Sequence, residues 1–317
     1  MTSSPLTRRS ALMIAGSLPL LAAGHAASAQ DAAKQDAPKD GMTVQVPSIA
    51  PYRRMKLGAF TVTTLLAGTR PLESPQETFG MNATAEEFAA ASKAAFIPED
   101  KSLNFFTPTL IETGEEVILF DTGLSPEGIT TALTAAGVAP DAVTTVVLTH
   151  MHGDHIGGLS TDTLPTFPNA RYIAGQIEFD HWAAAGNEGF DTKVRPLSER
   201  MTLIGDGTEV TAGITAMLAP GHTPGHMVFL IESDGARLML TADTANHFVW
   251  SLGYPDWEVR FDADKALAAQ TRRKIFGMIA ADRIPFIGYH MPFPGVGYVE
   301  TAGDGFRFVP ASYQLDV

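Results

Sequence analysis

The chain of 317 residues contains no cysteine. That excludes disulfides even in an oxidising compartment, and it excludes thiolate ligation, so any metal must be held through nitrogen and oxygen. Positive charge is scarce: 22 Lys and Arg stand against 35 Asp and Glu, a net charge of −13. Nucleic acid and anionic membrane need a basic face and make poor partners for such a chain. No apolar run reaches the roughly 20 residues of a membrane-spanning helix. No G-x-S-x-G turn offers a serine nucleophile.

What is present begins with an N-terminal address. Arg8 and Arg9 precede an apolar stretch over 11–23, and Ala27-Ser28-Ala29 fits cleavage before Gln30. Residues 1–29 therefore read as a signal peptide, of twin-arginine type given the paired arginines, with the general secretory route as the alternative. Either implies a periplasmic protein. Cleavage removes two of the 22 basic residues and none of the 35 acidic ones, so the mature chain is more acidic still. Residues 30–51, rich in Ala, Asp, Lys and Pro, read as a flexible leader. Residues 52–317 form one domain; with 45% hydrophobic residues the chain can bury a large core.

The decisive stretch is VTTVVLTHMHGDHIGGL, residues 143–159. Its β-branched run reads as a buried strand. The strand ends in His150, His152, Asp154 and His155, with glycines that permit a sharp turn. Imidazole and carboxylate at this density suit zinc, iron or manganese. A single histidine after a strand is ordinarily a hydrogen-bonded loop residue. Three further strand ends nevertheless carry candidate ligands: His222 in PGHTPGH, Asp243 in LMLTAD and His290 in IPFIGYH.

Around these, strands are expected over 58–68, 115–123, 170–175, 208–220, 227–233 and 237–243, and near 284–290 and 306–311. Helices are expected over 84–96 with Thr84 as N-cap, over 125–138 with Ser125 as N-cap and Pro126 at its first position, near 177–182, and over 262–282. Each half gives strands first and helical cover later. That suggests two β-rich layers sandwiched by helices.

These residues resemble the metallo-β-lactamase superfamily, whose H-x-H-x-D-H signature is complete here. The resemblance implies a four-layer αββα sandwich and two divalent metals, most commonly zinc, with manganese, iron or cobalt as alternatives. By position, His150, His152 and His222 would hold the first metal. Asp154, His155 and His290 would hold the second, Asp243 would bridge both, and Asp121 in LFDTG would support the cluster. Catalytic work would fall to Asp243 and Asp154, with a metal-bridging hydroxide as nucleophile. The C-terminal run GYHMPFPGVGYVETAGDGFRFVPASYQ is similar to the methyl parathion hydrolase and lactonase-like branch. That branch implies hydrolysis of lactones and esters, and in some members of organophosphate triesters.

Aromatics near the ligands suggest an apolar cleft for a small neutral substrate, with Phe106, Trp182, Trp250 and Phe293 as its walls. A homodimer stays open. Competing readings are a β-lactamase, against which the seventh ligand Asp243 speaks, an iron-dependent dioxygenase of the same fold, and a non-catalytic metal-binding protein. The export reading has its own test: changing Arg8 and Arg9 to Lys should leave uncleaved precursor in the cytoplasm, read by immunoblot of cell fractions. Unchanged export would assign the general secretory route.

Overall fold

The computed structural model describes residues 50–161 and 164–312. The expected signal peptide, and the leader apart from residues 50 and 51, lie outside them.

The chain opens with the hairpin β1 (Tyr52–Leu57) and β2 (Phe60–Leu65). A two-stranded ribbon follows, β3 (Gly68–Glu73) and β4 (Lys101–Phe106), with helix α1 (Ala85–Ala94) between them in sequence. Next come β5 (Thr109–Glu112), β6 (Val117–Phe120) and helix α2 (Pro126–Ala135). Strand β7 (Thr145–Leu148) runs into the short helix α3 (Gly153–Ile156), and β8 (Arg171–Gly175) into α4 (Gln176–Ala185). Helix α5 (Glu188–Lys193) and β9 (Met201–Ile204) end the first half.

The second half holds β10 (Glu209–Thr211), β11 (Ile214–Leu218), β12 (Met227–Ser233) and β13 (Ala236–Ala242). Helix α6 (Lys265–Asp282) precedes β14 (Phe286–Gly288), β15 (Val296–Ala302) and β16 (Gly305–Pro310).

Two seven-stranded sheets result, ordered β1-β2-β5-β6-β7-β8-β9 and β10 through β16 in sequence order. Period-2 alternation explains their stacking. Ile118 and Phe120 of β6, and Phe229 and Ile231 of β12, face a core between the sheets. Leu119 faces the opposite way, onto Ile129 and Leu133 of α2. Val228 of β12 and Met239 of β13 face Ile275, Phe276 and Ile279 of α6. The order is helix, sheet, sheet, helix, as expected.

Local sequence sets the helix starts. Thr84 and Glu87 form a reciprocal capping box on α1, and the Ser125 side chain accepts from Gly128 N–H at the start of α2. Some strand boundaries differ from expectation. The expected strand over 58–68 is β2 alone, paired with the unforeseen β1, whose Met55 and Leu57 are buried while Arg54 and Lys56 are not. The segment 208–220 splits into β10 and β11 because the chain turns at Gly213, φ 82°.

Strand direction positions everything that follows. Strands β6, β7, β8 and β9 are mutually parallel, as are β13 and β14. Their carboxyl ends gather along one edge, where open α/β sheets bind ligands. Phe120 and Phe229 meet across the two sheets at 4.9 Å in a T-shaped contact. Phe229→Ala should therefore cost about 3–5 kcal/mol of stability, measured by urea denaturation.

Candidate metal centre

The site is built at six strand ends. Strand β6 delivers Asp121, held at φ 60°, and β7 delivers Thr149 to His155. Strand β8 passes directly into α4, which carries Glu178. Beyond β11 lies His222, beyond β13 Asp243, and beyond β14 Tyr289 and His290.

Two glycines make this convergence possible. A Cβ on Gly158 would lie 2.1 Å from the Thr122 carbonyl oxygen, so only glycine lets the motif turn pack on the β6 loop. Gly221 has φ 125°, and a Cβ there would lie 2.3 Å from the backbone nitrogen of Ala268 in α6. The close approach to α6 fixes the residue beside His222.

The seven expected ligands come together. His150 Nε2, His152 Nδ1 and His222 Nε2 lie 2.9–3.2 Å from one another. Asp154, His155 and His290 form a second group, with His290 Nε2 at 3.3 Å and His155 Nε2 at 3.6 Å from Asp154 Oδ2. Asp243 stands between them. Its Oδ2 is 3.3 Å from His222 Nε2 and 3.2 Å from His290 Nε2, and its Oδ1 is 3.2 Å from His155 Nε2.

Hydrogen bonds fix which ring nitrogen faces inward. The Thr149 hydroxyl donates to Asp121 Oδ2, so its oxygen accepts from His150 Nδ1 at 3.1 Å. His155 Nδ1 donates to Asp121 Oδ2 (2.8 Å), His222 Nδ1 to Asp262 Oδ1 (2.9 Å) and His290 Nδ1 to the Phe105 carbonyl oxygen (2.8 Å). In each ring the Nε2 lone pair is left for the centre. Such outer partners set tautomer and orientation in metal sites.

The donor set fits divalent cations. Three imidazole nitrogens meet at separations close to the ~3.3 Å edge of a tetrahedral zinc site. His155 Nε2 and Asp243 Oδ1 are buried without a hydrogen-bond partner. Lone pairs crowded in this way need a cation or extra protons.

The ring basicities agree. Burial pushes His150 well down and His152 to about 3. Burial acts the same way on His155, His222 and His290, but facing carboxylates outweigh it. Asp243 and Asp121 hold His155 well above the ordinary range. Asp243 and Asp262 lift His222 to about 9, and Asp243 and Asp154 lift His290 to about 10. Burial opposes ionisation of Asp154 and Asp243, yet His155 and His290 bring Asp154 to about 2 and Asp243 well below the carboxylate range.

Several supporting residues were not anticipated. Glu178, 1% exposed, accepts from Met151 N–H (3.0 Å), Trp182 Nε1 (2.6 Å), the Thr223 hydroxyl (2.7 Å) and Gly225 N–H (3.0 Å). One buried carboxylate thus ties the His150 loop to the His222 loop. Arg272, also buried, donates to Asp262 Oδ2 at 2.9 Å and so backs His222. Asn246 Nδ2 donates to Asp243 Oδ2 at 2.9 Å, and Tyr289 stacks on His155 with ring centroids 3.9 Å apart. No sequence signal distinguishes Glu178 from a solvated helix carboxylate. Asp262 and Arg272 share only the surroundings of one strong helix.

The centre opens into a cavity of about 550 Å³. Of the four expected wall aromatics, Phe106 lines it and meets the His290 ring edge-on at 5.6 Å. Trp182 packs against His152 at 5.6 Å instead of lining that space. Trp250 is fully buried between His247 and Phe88, with ring centroids at 4.0 and 4.7 Å, and lines a neighbouring cavity. Phe293 lines neither. Arg70 and Arg260 also reach the cavity, each over a phenyl ring.

Comparison with known proteins agrees with this architecture. Residues 107–285 match the metallo-beta-lactamase superfamily, and the chain belongs to it. It is 32% identical over 140 residues to a probable metallo-hydrolase, YybB, of Bacillus subtilis, covering 42% of this chain and 59% of that one. It is 32% identical over 138 residues to the N-acyl homoserine lactonase AttM of Azorhizobium caulinodans, covering 38% and 48%. The matched stretch thus spans about half the length of these relatives. Among solved structures, AidC, a dizinc quorum-quenching lactonase in complex with a product, superposes with a TM-score of 0.77 at 26% identity, over 83% of this chain and 98% of that one. The hydrolase AbOPH superposes at 0.78 with 24% identity, over 84% and 100%, a likeness of fold.

If Glu178 positions both loops, Glu178→Gln should weaken zinc binding about 10–100-fold while the fold survives. Competition with a chromophoric chelator, beside circular dichroism, reads both.

Proposed function

We propose that this protein is an exported dinuclear metal-dependent hydrolase of lactones and esters, with zinc as the natural metal pair. The observation that carries the reading is Asp243, whose carboxylate faces both histidine groups at 3.2–3.3 Å. A seventh ligand between two sites suits a pair of metals better than one, since a single tetrahedral site needs only three protein ligands and water. His150, His152 and His222 would hold one metal, and Asp154, His155 and His290 the other. The names of the related lactonases support the substrate class, and the paired arginines Arg8 and Arg9 support export to the periplasm.

When bound, two divalent cations lower the pKa of water to about 7 and polarise a carbonyl oxygen. The chain's own residues do the remaining work. Asp154 and Asp243 stay ionised and can accept protons or hydrogen bonds at their carboxylate oxygens. Asp121, Asp262 and the Phe105 carbonyl hold three imidazoles in orientation, so no side chain must reorganise as substrate arrives. Phe106 gives the cavity an apolar wall beside His290, suited to an uncharged ester, while Arg70 and Arg260 add positive charge to the same space.

Steady-state kinetics of the zinc- or manganese-loaded protein tests the reading. Neutral lactones and aryl esters should show the highest kcat/KM. Phosphotriesters should be slower, because a tetrahedral centre needs more room than a planar carbonyl. Phosphomonoesters and β-lactams should be poorest. A penicillin or a phosphomonoester as best substrate would overturn the proposal.

A further inference from the structure

The metal cavity uses one face of the β3–β4 ribbon. The other face closes a second cavity, of about 390 Å³, within the ~300–1,000 Å³ usual for small-molecule sites. Strand alternation makes most of the division, with Ser102 the exception, since it lines the second cavity while its cross-strand partner Leu72 lines the first. Pro71 and its cross-strand partner Leu103, with Phe105, line the second cavity, while Arg70 and its partner Asn104, with Phe106, line the first. The ribbon is therefore a partition. His290 borders both spaces, its Nε2 turned to Asp154 and Asp243 and its Nδ1 bonded to the Phe105 carbonyl.

The second cavity is walled by Ile97, Leu103, Phe105, Phe248 and Trp250. Glu73 and Lys101, which also line it, are cross-strand partners of opposite charge. One polar side chain stands out on its wall. His247 is 6% exposed, and its Nδ1 accepts from the N–H groups of Val249 and Trp250, each at 3.2 Å. The ring proton must then sit on Nε2, for which no described residue supplies an acceptor. Burial keeps the ring neutral, with its pKa pushed down to about 3. Glu73 and Lys101 are exposed and Ser102 is half-buried, so His247 is the one buried donor without a described partner on an otherwise largely apolar wall. That suits a neutral apolar molecule carrying an acceptor for it.

We propose that this cavity is a second small-molecule site, separate from the metal centre, that takes an uncharged apolar compound with one carbonyl acceptor, held by the His247 Nε2–H. Hydrolysis need not occur there, and the site does not depend on the function proposed above.

Isothermal titration calorimetry of the zinc-loaded full chain with 2-octanone, which has no bond to hydrolyse, provides the test. One equivalent should bind, with a Kd changed less than twofold by saturating hexanoate, an anion expected to compete for the metal centre through its carboxylate. Leu103→Arg places a charge at a position that is 46% exposed on the ribbon and should tolerate it. That variant should bind 2-octanone at least tenfold more weakly with its zinc content unchanged. His247→Phe should weaken binding about fivefold, the loss of one hydrogen bond. Displacement of 2-octanone by hexanoate, or unaltered affinity in Leu103→Arg, would overturn the proposal. The heat of binding is read without turnover, so failure of lactone hydrolysis leaves this test intact.

Discussion

Every feature of the centre depends on holding one carboxylate, Asp243, among five imidazoles in a space that excludes most water. Isolated, that arrangement is unfavourable: burial works against the charge on Asp243 and against protonation of each ring. The fold offsets this by bringing opposite charges and directed hydrogen bonds to the same edge. The result is a donor set whose lone pairs point inward and whose outer nitrogens are already engaged.

Strand direction and backbone proximity deliver that donor set. Parallel pairing of β6, β7 and β8 sends three successive chain turns to one side, and β13 with β14 does the same from the second sheet. The turns are then tied to each other. Glu178 joins the His150 and His222 loops, and Asp121 joins Thr149 to His155. The Arg272–Asp262–His222 series anchors one ligand to α6. These contacts are buried, so their geometry is set by packing as much as by hydrogen bonding.

How much of this could be read from the chain differed by distance along it. The cluster His150 to His155 is local, and its density alone pointed to metal. His222, Asp243 and His290 each follow an apolar strand, a weak signal that gained weight only from the superfamily pattern. Glu178, Asp262 and Arg272 were not legible: apart from Trp182, four residues beyond Glu178, the partners named for them lie 10–47 residues away, and nothing local marks them as buried. The layered fold was legible from alternation and capping, whereas β1, the β3–β4 ribbon, β5, β9 and β15 were missed. Strands β1, β3 and β4 carry Arg, Lys or Pro and bury at most part of one face, and β5 and β9 are only four residues long, so their pattern is faint. Aromatic walls fared differently from one another. Proximity in sequence to a ligand does not say which face a ring takes, and Trp250 turned into the packed cluster with Phe79 and Phe88.

Asp243 as a shared ligand is the central claim, and metal stoichiometry measures it most directly. Elemental analysis of purified protein should approach two divalent metals per chain, and Asp243→Asn should lower metal content and turnover together. A protein fully active with one metal, or an Asp243→Asn variant that retains two tightly held metals, would contradict the account.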